Sequence, residues 1–161
     1  MAVQTGDRIP PISLMVMGPE GPSTLSTEEL FGGKRVAVFG LPGAFTPVCS
    51  AQHLPGYVAK AEALAAKGID TIACISVNDP FVMQAWGDAH DVGGKVQMVA
   101  DPEGSLTRAL GLAIDLSDFG LGERSERYSM IVDDGSVSAV NVEKSILDHD
   151  VSSVDHLLSQ A

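Results

Sequence analysis

The chain has 161 residues, with 10 Lys and Arg against 21 Asp and Glu and a net charge of −11. That acidic excess argues against nucleic acid, whose phosphates need a basic face, and against anionic membrane surfaces. No apolar run approaches the roughly 18 residues of a membrane span.

With 45% hydrophobic residues, residues 1–161 read as one domain. A chain of this size buries roughly 70% of its unfolded surface and needs no disulfide for stability. Met1 to Arg8 shows no basic segment followed by an apolar stretch, so no signal peptide is expected and the default compartment is the cytoplasm. The two cysteines are Cys49 and Cys74. In a reducing compartment, a sparse pair is catalytic or inert more often than it is a structural disulfide.

Ile12 to Met17 is a short apolar segment with strand character, turned back by Gly18-Pro19-Glu20-Gly21-Pro22. Ser26-Thr27-Glu28-Glu29 fits a capping box, and Gly32 and Gly33 end the short helix it opens. Arg35 to Gly40 is a continuous β-branched and apolar run, the pattern of a buried strand. After a turn, Thr46 at the N-cap and Pro47 at the first helical position open a helix. It is expected to run to about Lys67, be bent or interrupted at Pro55-Gly56 and stop at Gly68.

Ile69 to Val77 reads as the next buried strand, and Asn78-Asp79-Pro80 caps a helix through about His90. Val96 to Ala100 is a third core strand, ended by Asp101-Pro102; a helix from Glu103 to Leu110 then stops at Gly111. Arg127 to Val132 and Ser136 to Val142 flank Asp133-Asp134-Gly135, a hairpin with a strong turn signal. A helix from about Val151 to Ser159 ends the chain. Strands that alternate with helices pair in parallel through right-handed crossovers. The late hairpin adds antiparallel strands. The expected architecture is α/β, a mixed sheet flanked by helices on both faces.

Cys49 falls at the third position of the helix that Thr46 opens. Unpaired N–H groups and the positive end of the helix dipole there favour the thiolate, which is the nucleophilic form. The turn also lies at the carboxyl edge of the sheet, where open α/β folds place their sites. By position alone, a buried cysteine that merely packs the helix end is an equal alternative.

The string Pro42-Gly43-Ala44-Phe45-Thr46-Pro47-Val48-Cys49-Ser50 resembles the active-site loop of the peroxiredoxins, in the form found in the type II, peroxiredoxin-five-like group. The likeness extends in order through His53-Leu54-Pro55-Gly56-Tyr57, Cys74 to Val82, Trp86, Ala100-Asp101-Pro102, Arg127-Tyr128-Ser129-Met130 and Val140-Asn141-Val142-Glu143. It implies a thioredoxin-like fold, no cofactor, and a thiol peroxidase acting on hydrogen peroxide and organic hydroperoxides. Cys49 matches the peroxidatic cysteine, which is oxidised to sulfenic acid. Thr46 matches the threonine whose hydroxyl bonds thiolate and peroxide, and Pro42 the proline that shields the thiolate from water. Arg127 matches the arginine beside the sulfur, with several donors for peroxide oxygens. Taken singly, Thr46 is equally an N-cap, Pro42 a turn residue, and Arg127, like Arg124 three residues earlier, a surface arginine.

Cys74 lies inside the apolar run Ile72-Ala73-Cys74-Ile75, where a free cysteine packs as a small hydrophobe. Some type II members carry a cysteine at the matching place, so a resolving role stays open. The resolving cysteine that other members carry near the C-terminus is absent from residues 144–161. The expected reductant is therefore an external thiol, glutaredoxin with glutathione or thioredoxin, and the resemblance implies a homodimer.

His53, His90, His149 and His156 are too scattered for zinc, which needs three or four protein ligands. His53 is four residues after Cys49, but a lone Cys/His pair is weak evidence of anything. Other readings are a peroxide sensor or redox relay, a thioredoxin-like binding module with an unreactive Cys49, and a Cys/His acyl-transfer enzyme lacking an orienting acid.

Overall fold

Every second residue of the central strands faces one of two separate apolar layers, and that alternation sets the architecture. The computed structural model describes residues 1–161. In chain order it runs β1 Ser13–Gly18, β2 Gly21–Ser26, α1 Thr27–Phe31, β3 Arg35–Leu41, α2 Leu54–Ala59, α3 Ala61–Ala66, β4 Thr71–Ser76 and α4 Pro80–Ala89. There follow β5 Gln97–Ala100, α5 Ser105–Ala109, β6 Ala113–Asp115, β7 Glu123–Ser125, β8 Tyr128–Asp133, β9 Ser136–Val142 and α6 Val154–Gln160.

Seven strands form one sheet in the order β2-β1-β5-β4-β3-β8-β9. Strands β3, β4 and β5 are parallel, whereas β8 joins β3 and β1 joins β5 antiparallel. From β3, Ala37 and Phe39 face the layer built with Leu54, Tyr57, Leu64, Trp86 and Leu157 of the α2, α3, α4 and α6 helices. Val36 and Val38 face the opposite layer, built with Leu30, Phe31, Leu106 and Leu110 around α1 and α5. The mixed sheet with helices on both faces is the expected α/β, thioredoxin-like arrangement.

Local signals hold at most boundaries. Ser26 and Glu29 form the capping box of α1, and Asp79 caps α4 by accepting from the Val82 N–H. Asp134 and Gly135 both have positive φ in the β8–β9 turn, which matches the twist of the flanking strands.

Two expectations need correction, and one small sheet was not foreseen. The helix after the Cys49 turn is interrupted, but not at the residues expected. Cys49–His53 is a π-helical turn in which the Leu54 N–H reaches the Cys49 carbonyl. The break falls at Lys60, at φ −109° and ψ 17°, not at Pro55-Gly56. Pro55 is accommodated at the start of α2, where its missing N–H matters least. The turn read at Gly18–Pro22 is tighter than expected: Gly18 pairs with Gly21, and Gly21–Ser26 is an edge strand whose largely polar residues carry no apolar signal. Finally, β6 and β7 form a separate two-stranded sheet that no periodicity foretold, because three residues are too few to show a period.

Candidate active site

Register brings the site together. Tyr128, the first residue of β8, pairs with Gly40 near the end of β3. Arg127 therefore emerges at the sheet edge where β3 gives way to the turn that carries Cys49. Gly40 is required there, since a Cβ on it would penetrate the Tyr128 ring.

Cys49 is wholly buried, and Arg127 is only 2% exposed. The guanidinium distributes its donors three ways. Nη2 donates to the Cys49 Sγ at 3.2 Å, Nη1 to the His53 Nδ1 at 3.0 Å, and Nε to the Ile146 carbonyl at 3.0 Å. No carboxylate pairs with it. A buried cation without a counter-charge is costly, and the Cys49 sulfur is the contacting group able to carry the balancing negative charge. The structure thus joins Cys49 and Arg127 directly.

Thr46 behaves differently from its expected role. Its carbonyl accepts from the Ser50 N–H at 2.9 Å, so it occupies the backbone N-cap position and Cys49 is the third helical residue. Its hydroxyl, however, donates to the Gly43 carbonyl at 2.6 Å and makes no bond to Cys49. With its hydrogen engaged, the oxygen presents lone pairs, and so acts as an acceptor toward an incoming group. Pro42 lines the mouth of a cleft of about 420 Å³ together with Phe45, Thr46, Phe119, Leu121 and Arg127. Cys49 does not line the cleft itself, but its sulfur contacts Arg127, which does.

The turn is held under tension and braced. Phe45 has φ +64°, a left-handed conformation uncommon for a bulky residue. Asn78 Oδ1 accepts from the Ala44 N–H at 3.0 Å, and Trp86 Nε1 donates to the Ser50 Oγ at 3.1 Å.

His53 is the residue that sequence reasoning passed over. The Ser152 carbonyl, 3.1 Å from Nε2, can only accept, so Nε2 carries the proton and Nδ1 is free to accept from Arg127. Burial first, then the charges of Arg127 and His149, hold His53 well below its ordinary pKa and keep it neutral. Behind it, Tyr57 donates to the same Ser152 carbonyl at 3.0 Å. The Glu143 carboxylate accepts from the Ser152 N–H, the Ser152 hydroxyl and the Asp150 N–H at 2.6 to 2.8 Å. Burial pushes the Glu143 carboxyl up, but those donors outweigh it and leave it lowered overall. Glu143 stood in the matching string without a role. The signals for His53 were its place in a matching string and its spacing from Cys49, one helical turn.

Cys74 lies mid-strand on β4, between Phe39 of β3 and Met98 of β5, and is fully buried. Burial, with a smaller effect from Cys49, pushes its thiol well above the ordinary value, so it stays protonated. No cluster of three or more His, Cys, Asp or Glu is placed to hold a metal.

The redoxin family matches residues 4–158. Peroxiredoxin-2B of Arabidopsis thaliana is 50% identical over 135 residues, covering 84% of this chain and 83% of that protein. The chain belongs to the type II, peroxiredoxin-five-like peroxiredoxins. Among solved structures, reduced Prx3 of Vibrio vulnificus in complex with hydrogen peroxide is 45% identical and superimposes with a TM-score of 0.93 over 98% of both chains. Peroxiredoxin 5 of Alvinella pompejana is 38% identical, with a TM-score of 0.80 over 89% of this chain and 92% of that one. This peroxiredoxin is a thiol-dependent peroxidase.

Proposed function

We propose that Cys49 is the peroxidatic nucleophile, with Arg127, Thr46 and Pro42 forming its reaction site. The observation that carries this is the buried, acid-free guanidinium of Arg127 donating to the Cys49 sulfur at 3.2 Å. The thiolate attacks the proximal peroxide oxygen. A sulfur–oxygen bond forms as the O–O bond breaks, and the distal oxygen leaves, taking a proton to become water or an alcohol. Arg127 donates to the oxygens as charge moves onto them, the Thr46 oxygen accepts the peroxide hydrogen, and Pro42 limits water at the mouth.

Hydrogen peroxide and organic hydroperoxides are the substrates of this reading. The latter are supported by a cleft lined by Phe45, Phe119, Leu121, Ile146 and Leu147. An external thiol, glutaredoxin with glutathione or thioredoxin, condenses with the sulfenic acid to a mixed disulfide and water. A second thiol then releases Cys49. Cys74, protonated and locked between two strands, is poorly placed to take that part. Exposed Phe45 and Phe81, at the same edge of the sheet, favour association of two copies.

Stopped-flow oxidation read through Trp86, the chain's single tryptophan, tests the assignment. Oxidation much faster than that of free cysteine, lost in Cys49→Ser and leaving a sulfenic mass on Cys49, is expected. A rate equal to free cysteine sinks the reading.

A further inference from the structure

Outside the reaction site proper, one polar side chain ties two parts of the cleft together. The β6–β7 hairpin carries a loop, residues 116–122, that supplies Phe119 and Leu121 to the cleft wall. That loop closes on itself: the Leu116 N–H donates to the Gly122 carbonyl at 2.7 Å and the Leu121 N–H to the Leu116 carbonyl at 3.2 Å. Gly120 and Gly122 have φ of +74° and +68°, and Phe119 is 71% exposed. Neither Phe119 nor Leu121 belongs to either apolar core. Packing alone therefore does little to set where this wall stands relative to Cys49.

Arg124 does. Its Nε donates to the Leu121 carbonyl at 2.9 Å and its Nη1 to the Pro42 carbonyl at 3.1 Å. No other hydrogen bond joins residues 112–125 to the turn 41–48. The rigid, planar fork of a guanidinium holds two acceptors at a fixed separation, which a single ammonium does not. Gly43 lets it lie close, since a Cβ there would stand 2.5 Å from Nη1.

We propose that Arg124 is a positioning residue for substrate selection: it sets the apolar wall of Phe119 and Leu121 at a fixed distance from Pro42, and so selects hydroperoxides with an apolar substituent. The proposal rests on the reading that organic hydroperoxides enter through this cleft. Hydrogen peroxide has no substituent to lay against the wall and depends on the donors of the floor. A cumyl group buries apolar surface against Phe119 and Leu121, and gains rate only where the wall is held in place.

The test compares Arg124→Ala and Arg124→Lys with the wild type, measuring second-order rate constants of Cys49 oxidation by hydrogen peroxide and by cumene hydroperoxide. Both variants are expected to react with hydrogen peroxide within about twofold of wild type and with cumene hydroperoxide about tenfold more slowly, the scale on which a hydrophobic pocket discriminates. Lysine keeps the charge, so its failure to rescue assigns the effect to the fork. Equal losses for both peroxides, no loss for either, or full rescue by lysine overturns the proposal while leaving the peroxidase reading intact. A wild-type protein inert to cumene hydroperoxide overturns the organic-substrate reading and the proposal with it.

Discussion

Arg127 donates to the sulfur of Cys49 at 3.2 Å across 78 residues of sequence, and no acid shares its charge. Arg127→Lys keeps a cation but not three simultaneous donors at fixed angles. Cys49 oxidation by hydrogen peroxide is expected to slow by about 10²-fold or more, the scale of removing a donor to developing oxyanion charge. Stopped-flow traces at equal peroxide concentrations check this, and a loss under threefold contradicts it.

His53 is neutral in the folded protein and held well below its ordinary value by burial, Arg127 and His149. The unfolded chain binds a proton at this residue from near pH 6.5 downward, while the folded chain does not. Its contribution to stability is therefore full above pH 6.5 and is lost progressively as pH falls below it, at up to about 1.4 kcal/mol per pH unit. Denaturant midpoints between pH 7.5 and 5.5 measure the slope. His53→Gln, which can accept from Arg127 and donate to Ser152 without titrating, is expected to flatten it.

Glu143 fastens the segment that supplies the Ser152 carbonyl to His53 and Tyr57. Its carboxyl is lowered overall, so its contribution is present above the ordinary carboxylate range and lost as pH falls through the lowered value. Glu143→Gln weakens three hydrogen bonds and is expected to cost about 1–3 kcal/mol at neutral pH. Urea unfolding measures that loss. An unchanged midpoint would remove Glu143 from the bracing of the site.

Cys74→Ala removes one buried sulfur from β4 and is expected to cost about 1 kcal/mol. Oxidation of Cys49 is expected to continue at the wild-type rate. Mass spectra of wild-type protein after one equivalent of peroxide should show Cys49 sulfenic acid without the two-hydrogen loss of an internal disulfide. Rapid formation of a Cys49–Cys74 bond would sink the external-thiol reading.

Gly40→Ala places a methyl group inside the Tyr128 ring at the β3–β8 register. Overpacking of this kind costs about 1–3 kcal/mol. Since Arg127 precedes Tyr128, peroxide reactivity should fall with the stability, which thermal melts and oxidation rates on the same sample will show.

Much of this fold was legible locally. Arg35–Leu41, Thr71–Ser76 and Gln97–Ala100 announce themselves because central parallel strands are buried on both faces and read as apolar runs. Ser26, Asp79, Gly68, Gly111 and Asp134-Gly135 mark boundaries because caps and turns act within a few residues. Edge strand β2 and the small β6–β7 sheet were not legible, since neither turns an apolar face to a core over enough residues to show a period. The π-helical turn was missed because helical spacing does not reveal where one extra residue enters the turn.

The sequence by itself marked the loop Pro42 to Cys49 as the candidate site, because a string of neighbours carries that signal. It also determined the alternation of strands and helices. Tertiary structure alone decided how the Arg127 donors divide among Cys49, His53 and Ile146, and that His53 is a neutral acceptor. It also turned the Thr46 hydroxyl toward Gly43 and joined Glu143 to the site through Ser152. Those contacts bridge His53 to Arg127 across 74 residues and His53 to Ser152 across 99. Such pairs meet only when strand register and helix packing bring distant segments to one sheet edge, and no local spacing encodes that distance.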